Sequence, residues 1–258
     1  MERLAFITGA SSGLGQALAW RLSQAGYKLA LVARRTHDIE AWAKARALDP
    51  DSYRIYGADV SVIDSIVAAA EACLAQQGVP DIVIANAGIS IGMDTRERRD
   101  LDAMVRIFAV NNIGLAATFH PFIHPMTKRG AGILVGVASV AGVRGLPGHG
   151  AYCASKAAVI NYCESLRGEL RGSGVRVVTL SPGYIDTPLT RRNRYRMPFL
   201  MPAQAFADKA VKAIERSDTY RVLPWQMAIV AKLMRMLPDR IFDRLLVGRP
   251  RKHRETPH

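Results

Sequence analysis

The sequence predicts an α/β fold in which a parallel sheet is covered by helices on both faces. Two observations lead there: short apolar runs of strand length alternate with longer segments of helical period, and a glycine-rich turn stands between the first run and the first helical segment. A third is that no Pro/Gly/Ser-rich linker divides the 258 residues, so residues 1–258 are expected to form one domain.

The elements follow in order. Residues 4–8 read as the first strand. In the next segment Leu14, Ala17, Leu18, Leu22 and Ala25 share one 3.6-residue face, and Gly26 stands where a helix C-cap belongs. Residues 29–33, 53–56, 82–85, 133–138 and 175–180 are further strand candidates, spaced by lengths that suit crossover connections and therefore parallel pairing. After residue 180 the rhythm changes. Pro182-Gly183 turns the chain, and Pro188, Pro198 and Pro202 bracket an Arg-rich stretch that one uninterrupted helix cannot hold, which predicts a mobile loop or lid. Residues 203–215 read as helix, 220–223 as an edge strand, and 226–246 as one or two basic amphipathic helices broken near Pro238. Residues 248–258 are expected to fray.

Hydrophobic residues at 49% and charged ones at 22% exclude a disordered tail protein and a fibrous repeat. The net charge of +13 raises nucleic acid, anionic membrane or an anionic cofactor as partners. Its distribution is uneven, with 16 basic and 6 acidic side chains in residues 189–258 against 19 and 16 in residues 1–188. No nucleic-acid recognition motif accompanies the charge, so that partner is not expected. Cys73, Cys153 and Cys163 are odd in number and lack metal-ligand spacing. They predict buried reduced thiols in a cytoplasmic compartment and no metal site. The first residues read as a strand rather than a signal peptide, and no apolar run reaches the roughly 18 residues of a membrane span.

The turn Thr8-Gly9-Ala10-Ser11-Ser12-Gly13-Leu14-Gly15 opens a helix, where backbone N–H groups and the positive dipole end face a phosphate. Gly9 permits the tight turn, Gly13 the approach of a pyrophosphate, and Gly15 close packing of helix on sheet. The second strand ends at Ala33, where an acidic residue would select a free ribose 2′-hydroxyl. Arg34 and Arg35 follow instead and suit a 2′-phosphate, so NADP(H) is preferred over NAD(H). Tyr152 and Lys156 stand four apart on a helical segment and so on one face. Ser139 precedes them at the C-terminal end of a strand, the edge where open parallel sheets bind ligands. A phenol titrates near pH 10, and a neighbouring ammonium favours its ionised form, so Lys156 is expected to lower the Tyr152 pKa. A carbonyl under reduction gains negative charge on oxygen and needs a proton donor, Tyr152, with a second hydrogen bond from Ser139. Asn111, at the foot of a long helix, is expected to hold a water that links Lys156 to solvent.

With these motifs in place the chain resembles the short-chain dehydrogenase/reductase family over roughly residues 3–190. The matching signs are the glycine turn, Asp59-Val60, Asn86-Ala87-Gly88, Asn111-Asn112-Ile113-Gly114, Ser139-Val140-Ala141-Gly142, Tyr152-x-x-x-Lys156 and Pro182-Gly183-x-Ile185-x-Thr187. The resemblance implies a doubly wound, Rossmann-type parallel sheet of seven strands and a catalytic tetrad of Asn111, Ser139, Tyr152 and Lys156. It also implies that Lys156 binds the nicotinamide ribose, that Asp59 approaches the adenine and that Ile185 and Thr187 meet the carboxamide. The cofactor contacts so expected are Gly9, Ser11, Ser12, Gly13, Leu14, Gly15, Arg34, Arg35, Asp59, Val60, Asn86, Ala87, Gly88, Tyr152, Lys156, Pro182, Gly183, Ile185 and Thr187. Two departures stand out: Ala85 replaces an Asn common before Asn86, and Ser12 replaces a basic residue common in NADP-preferring members. The NADP(H) preference therefore rests on Arg34 and on the missing acid at Ala33.

The resemblance makes residues 187–216 a substrate lid. Arg191, Arg192, Arg194 and Arg196 in it suit an anionic or carrier-linked substrate, and Met197, Phe199, Leu200 and Met201 are expected to cover an apolar one. Residues 225–258, a basic helical extension ending in Arg249, Arg251, Lys252 and Arg254, combine apolar residues with a cationic tail as surface-bound helices do. Packing beside the substrate pocket and at a subunit interface are the other uses of that segment. The sequence is thus read as an NADP(H)-dependent oxidoreductase acting on a hydrophobic carbonyl/secondary alcohol pair, a ketone, steroid-like or 3-oxoacyl compound, in a homodimer or homotetramer. The alternatives are a lipid ketone reductase at a membrane surface and a non-catalytic NADP-sensing protein.

Overall fold

The computed structural model describes residues 2–248 apart from 192 and 194, together with residues 252 and 254. Arg192, Arg194, Arg249 and Arg251 of the expected lid and tail lie outside the described residues.

The strands are β1 (Arg3–Thr8), β2 (Tyr27–Ala33), β3 (Tyr53–Gly57), β4 (Ile82–Ala85), β5 (Gly132–Val137), β6 (Val175–Pro182), β7 (Ile185–Asp186), β8 (Met201–Pro202) and β9 (Tyr220–Leu223). Seven of them form one sheet in the order β3-β2-β1-β4-β5-β6-β9, with every pair parallel. The helices are α1 (Gly13–Gln24), α2 (Thr36–Ala45), α3 (Ile63–Gln77), α4 (Asp100–Phe108), α5 (Gly114–Arg129), α6 (Gly150–Glu169), α7 (Pro188–Arg191), α8 (Ala203–Glu215), α9 (Trp225–Met236) and α10 (Asp239–Leu246). This is the doubly wound, Rossmann-type α/β fold expected from the sequence.

The strands read as continuous apolar runs because both faces of the sheet are buried. Along β1 the side chains alternate between two cores. Ala5 and Ile7 pack with Leu18 and Leu22 of α1, Ile39 of α2 and Phe206 of α8. Leu4 and Phe6 pack with Ile66 of α3, Phe122 of α5 and Val159 of α6 on the other face, where the Phe6 and Phe122 rings stand 4.8 Å apart. Helix α8 falls within the expected lid but belongs to the first core: Phe206, Ala210, Val211 and Ile214 bury its apolar face. The free part of that lid is therefore shorter than residues 187–216.

Strand β1 lies between β2 and β4, so the crossovers on its two sides leave in opposite directions and open a crevice at the C-terminal ends of the strands. The helix expected around Asn111 is not regular. Between α4 and α5 a single π-helical turn spans Ala109–Ile113, the kind of local widening common at functional sites. The break expected near Pro238 is present, since α9 ends at Met236 and α10 starts at Asp239. Among the described residues no helix is long and apolar enough to cross a membrane, and no group of His, Cys, Asp or Glu is arranged to hold a metal ion. All three cysteines are buried and unpaired.

Candidate active site

The crevice holds a narrow cleft of about 430 Å³. Every residue expected to contact a cofactor lines it except Gly15, which acts one layer behind. Gly9 and Gly13 have φ of +70° and +56°, which glycine adopts without strain. A Cβ on Gly15 would stand 2.1 Å from the Gly9 carbonyl oxygen, so α1 can sit this close to the turn only with glycine there. Ser12 precedes α1 in an extended conformation and makes no side-chain capping bond. The first N–H groups of α1 therefore keep the anion-binding capacity of an uncapped helix start.

A small polar lock fixes this turn to β4. The buried Thr8 Oγ1 accepts hydrogen bonds from Asn86 N at 3.1 Å and Ala87 N at 3.2 Å, and Asn86 Nδ2 donates to Thr8 O at 2.9 Å. Asn86 thus satisfies the strand end that Ala85 cannot serve. At the far side of the cleft β2 ends in Ala33 with Arg34 beyond it, and the exposed Arg34 guanidinium reaches Asp59 Oδ2 at 3.4 Å. Burial would raise the Asp59 pKa, but hydrogen bonds from the hydroxyl and N–H of Ser61, with the charge of Arg34, hold it below the usual carboxylate range. Arg35 is paired with Asp38 at 2.5 Å.

Lys156 lies behind the cleft on α6. Its Nζ donates to Val137 O at 2.8 Å at the end of β5, and burial pulls its pKa down to about 8. Gly88 makes room for it, since a Cβ there would come within 3.4 Å of Lys156 Nζ and 3.3 Å of Asn111 Oδ1. The Asn111 side chain accepts from Ile89 N at 2.9 Å and donates to Ile89 O at 3.0 Å and Ser155 Oγ at 2.9 Å. Both of its amide hydrogens are thereby committed, and the side chain ties the loop after β4 to α6 rather than reaching toward a water with its donors. The expectation for Lys156 also needs correcting. Its Nζ stands 5.9 Å from the centroid of the Tyr152 ring, and burial raises the Tyr152 pKa while the hydrogen bond with Ser139 opposes the rise. Desolvation outweighs the opposing influences on the phenol in this state.

Beyond Tyr152 the narrow cleft opens into a wide one of about 1150 Å³. Ser139, Tyr152, Gly183, Leu189 and Thr190 line both, so the Ser139 and Tyr152 hydroxyls stand at the junction. Ser139 Oγ accepts from Ala141 N at 3.2 Å, which fixes its position at the start of a short 3-10 turn. The wide cleft is mainly apolar, with Leu146, Met227, Val230, Met234 and Leu246 among its walls. His149 and Tyr195 face it as a pair, the ring nitrogen and hydroxyl 3.4 Å apart, and burial lowers the first pKa and pushes the second up to about 12.

Of the cover expected from Met197, Phe199, Leu200 and Met201, none lines the wide cleft. Met201 is buried in the core while Phe199 and Leu200 are about half exposed, and the wall they were to form comes from α9 and α10. Of the arginine cluster, Arg191 is held by Asp186 at 2.7 Å and Arg196 lines the wide cleft. Arg144, which sequence reasoning missed, explains how α9 and α10 reach the site. Its guanidinium donates to Met234 O, to Leu237 O at 2.7 Å and to Asp239 Oδ1 at 2.7 Å, and stacks 3.8 Å over Phe242. One cation from the loop after Ser139 thus gathers the carbonyl end of α9 and the start of α10.

A glycine-lined anion cradle at the switch point of a parallel sheet, joined through a Ser and a Tyr to an apolar cleft, defines the class: a nucleotide-binding oxidoreductase. The family model of short chain dehydrogenases matches residues 3–197, and the chain belongs to that family. It is 38% identical over 244 residues to an uncharacterized oxidoreductase of Myxococcus xanthus (strain DK1622), covering 93% of this chain and 95% of that one. Among solved structures it resembles a short chain dehydrogenase/reductase from Burkholderia phymatum in complex with NAD, with a TM-score of 0.81, 25% identity and coverage of 90% and 92%. It likewise resembles a short-chain dehydrogenase from Sphingobium yanoikuyae in complex with NADPH, with a TM-score of 0.76, 27% identity and coverage of 92% and 97%.

Proposed function

We propose that the chain is an NADP(H)-dependent oxidoreductase that interconverts an apolar carbonyl compound and its secondary alcohol, with Tyr152 as general acid and base. The observation that carries this reading is the junction of the two clefts at Ser139 and Tyr152. The residues present fit a dinucleotide: Gly9 and Gly15 let the turn pack against Asn86-Ala87 and α1 so tightly that a Cβ on either would clash, and the N-terminus of α1 has no side-chain cap. A nicotinamide, when bound, exchanges hydride with the substrate carbon. Ser139 orients the substrate oxygen, and Tyr152 gives it a proton in reduction and takes one in oxidation. Burial keeps the phenol protonated, which suits donation; the Lys156 ammonium behind the ring favours the phenolate that forms as the proton leaves. Lys156 holds the ribose, and Asn111 secures the loop on which this arrangement rests. Ala33 and Arg34 at the end of β2 favour a 2′-phosphate, because position 33 carries no carboxylate and the Arg34 guanidinium beyond it is exposed, with Asp59 as its partner at 3.4 Å.

Fluorescence titration with NADPH and NADH tests the cofactor. Tighter binding of NADPH, reduced about tenfold by Arg34→Ala, is expected; equal or tighter binding of NADH overturns that part. With NADPH and a panel of apolar ketones, Tyr152→Phe should lower turnover about 10²-fold or more while leaving NADPH affinity within about twofold. Unchanged turnover would remove Tyr152 from the chemistry.

A further inference from the structure

Helices α9 and α10 carry an apolar stripe that nothing among the described residues covers. Trp225, Ile229, Leu233 and Met236 recur at steps of four, four and three and so share one face of α9. Ile241 and Leu245 repeat the step on α10. These six side chains are between 50% and 72% exposed. The other side of the same helices is already used: Met227, Ala231 and Phe242 are buried, while Val230, Met234 and Leu246 wall the wide cleft. Helix α9 is thus apolar on two faces where the fold needs one, and a contiguous exposed patch of this kind marks an interaction surface.

Charge decides what covers it. Lys232 and Arg235 accompany the stripe on α9, and Arg240 and Arg244 stand beside it on α10. All four are exposed and have no ion-pair partner among the described residues. Of the two carboxylates on these helices, Asp239 is held by Arg144 and Asp243 lines the cleft. A second copy of the chain meeting this face across a two-fold axis would set the cations against their own images. A nucleic acid would match the charge but leave the Trp, Leu and Met side chains in water. An acidic headgroup layer over hydrocarbon matches both features, with the long cationic side chains reaching the phosphates while the stripe enters beneath them.

We propose that the α9–α10 face docks the chain on the surface of an anionic lipid bilayer. The wide cleft then lies about 10 Å from the lipid, one helix diameter away. The docking does not depend on the redox reading above.

The test is co-sedimentation of the full chain with vesicles of phosphatidylcholine alone and of phosphatidylcholine mixed with phosphatidylglycerol. Partitioning should favour the anionic vesicles about tenfold or more and fall at high salt. Ile229→Ser/Leu233→Ser and Lys232→Gln/Arg235→Gln should each weaken it about tenfold. These exposed residues line neither cleft, so thermal melts and NADPH titrations should match wild type. Brominated lipid should quench Trp225, seen as quenching lost in Trp225→Phe. Equal pelleting with both vesicles, binding unchanged in the double variants, or no Trp225 quenching overturns the proposal. Loss of an oligomer in Ile229→Ser/Leu233→Ser on gel filtration also overturns it, in favour of a second copy on this face.

Discussion

Lys156 is a cation held between α6 and the end of β5, and replacing it by Met removes the charge while nearly keeping the length of the side chain. Its pKa of about 8 against an ordinary 10.5 means that folding a charged Lys156 costs about 3 kcal/mol at pH values below 8, at 1.36 kcal/mol per unit. Between pH 8 and 10.5 the unfolded chain binds the proton and the folded one does not, so wild-type stability gains from this group as pH rises through that window. Lys156→Met abolishes the penalty but leaves Val137 O without its 2.8 Å donor, at a cost of about 1–3 kcal/mol. The variant should therefore be more stable at pH 7 by about 1 kcal/mol, or about 2–4 °C in Tm. The more telling quantity is its pH dependence. Urea unfolding of both proteins without added nucleotide should show the difference shifting toward wild type by about 2 kcal/mol between pH 7 and 9.5. A difference that stays constant over this range would refute the reasoning, whatever its size at pH 7. By the proposed function the stabilised variant is also inactive.

Arg144→Met removes the charge-assisted bonds that gather α9 and α10, worth about 2–4 kcal/mol locally. Hydrogen exchange should accelerate across residues 225–246 but not in β1, β4 and β5, with a higher KM for substrate and unchanged nucleotide affinity. Gly15→Ala should cost about 2 kcal/mol or more and abolish nucleotide binding, because its Cβ would stand 2.1 Å from Gly9 O; Gly168→Ala, with open space around it in α6, should instead stabilise by about 0.5–1 kcal/mol in the same melts. Thr8→Val keeps the shape but leaves Ala87 N without its acceptor, while Asn86 N keeps Ile84 O at 3.1 Å, so denaturant unfolding should show a loss of about 1–2 kcal/mol.

The sheet was legible because both of its faces are buried. Runs as apolar as residues 82–85 have no other stable use, and the strand starts and ends lie within two residues of those expected. The glycine turn, Ser139, Tyr152 and Lys156 were legible for a related reason: turn geometry and helical spacing are local, and these residues are close in sequence or fall at strand ends. What escaped is long-range or competitive. Arg144 meets Asp239 across 95 positions, and no local pattern announces that contact. The apolar residues 197–201 look like a cover for a cleft, yet Met201 finds the core and the cleft takes its wall from α9. Tyr152 shows the competitive case, since sequence spacing predicts a neighbouring charge but says nothing of the burial that outweighs it.

The two clefts draw on different stretches of the chain. The narrow one is built from residues 9–190, whereas the wide one takes much of its wall from residues 227–252. By the proposed function, affinity for the nucleotide and taste in substrates thus draw largely on different residues, with Ser139, Tyr152, Gly183, Leu189 and Thr190 common to both clefts. Under that reading, changes among residues 227–248 reshape what the wide cleft accepts and leave the glycine turn and the end of β2 as they are.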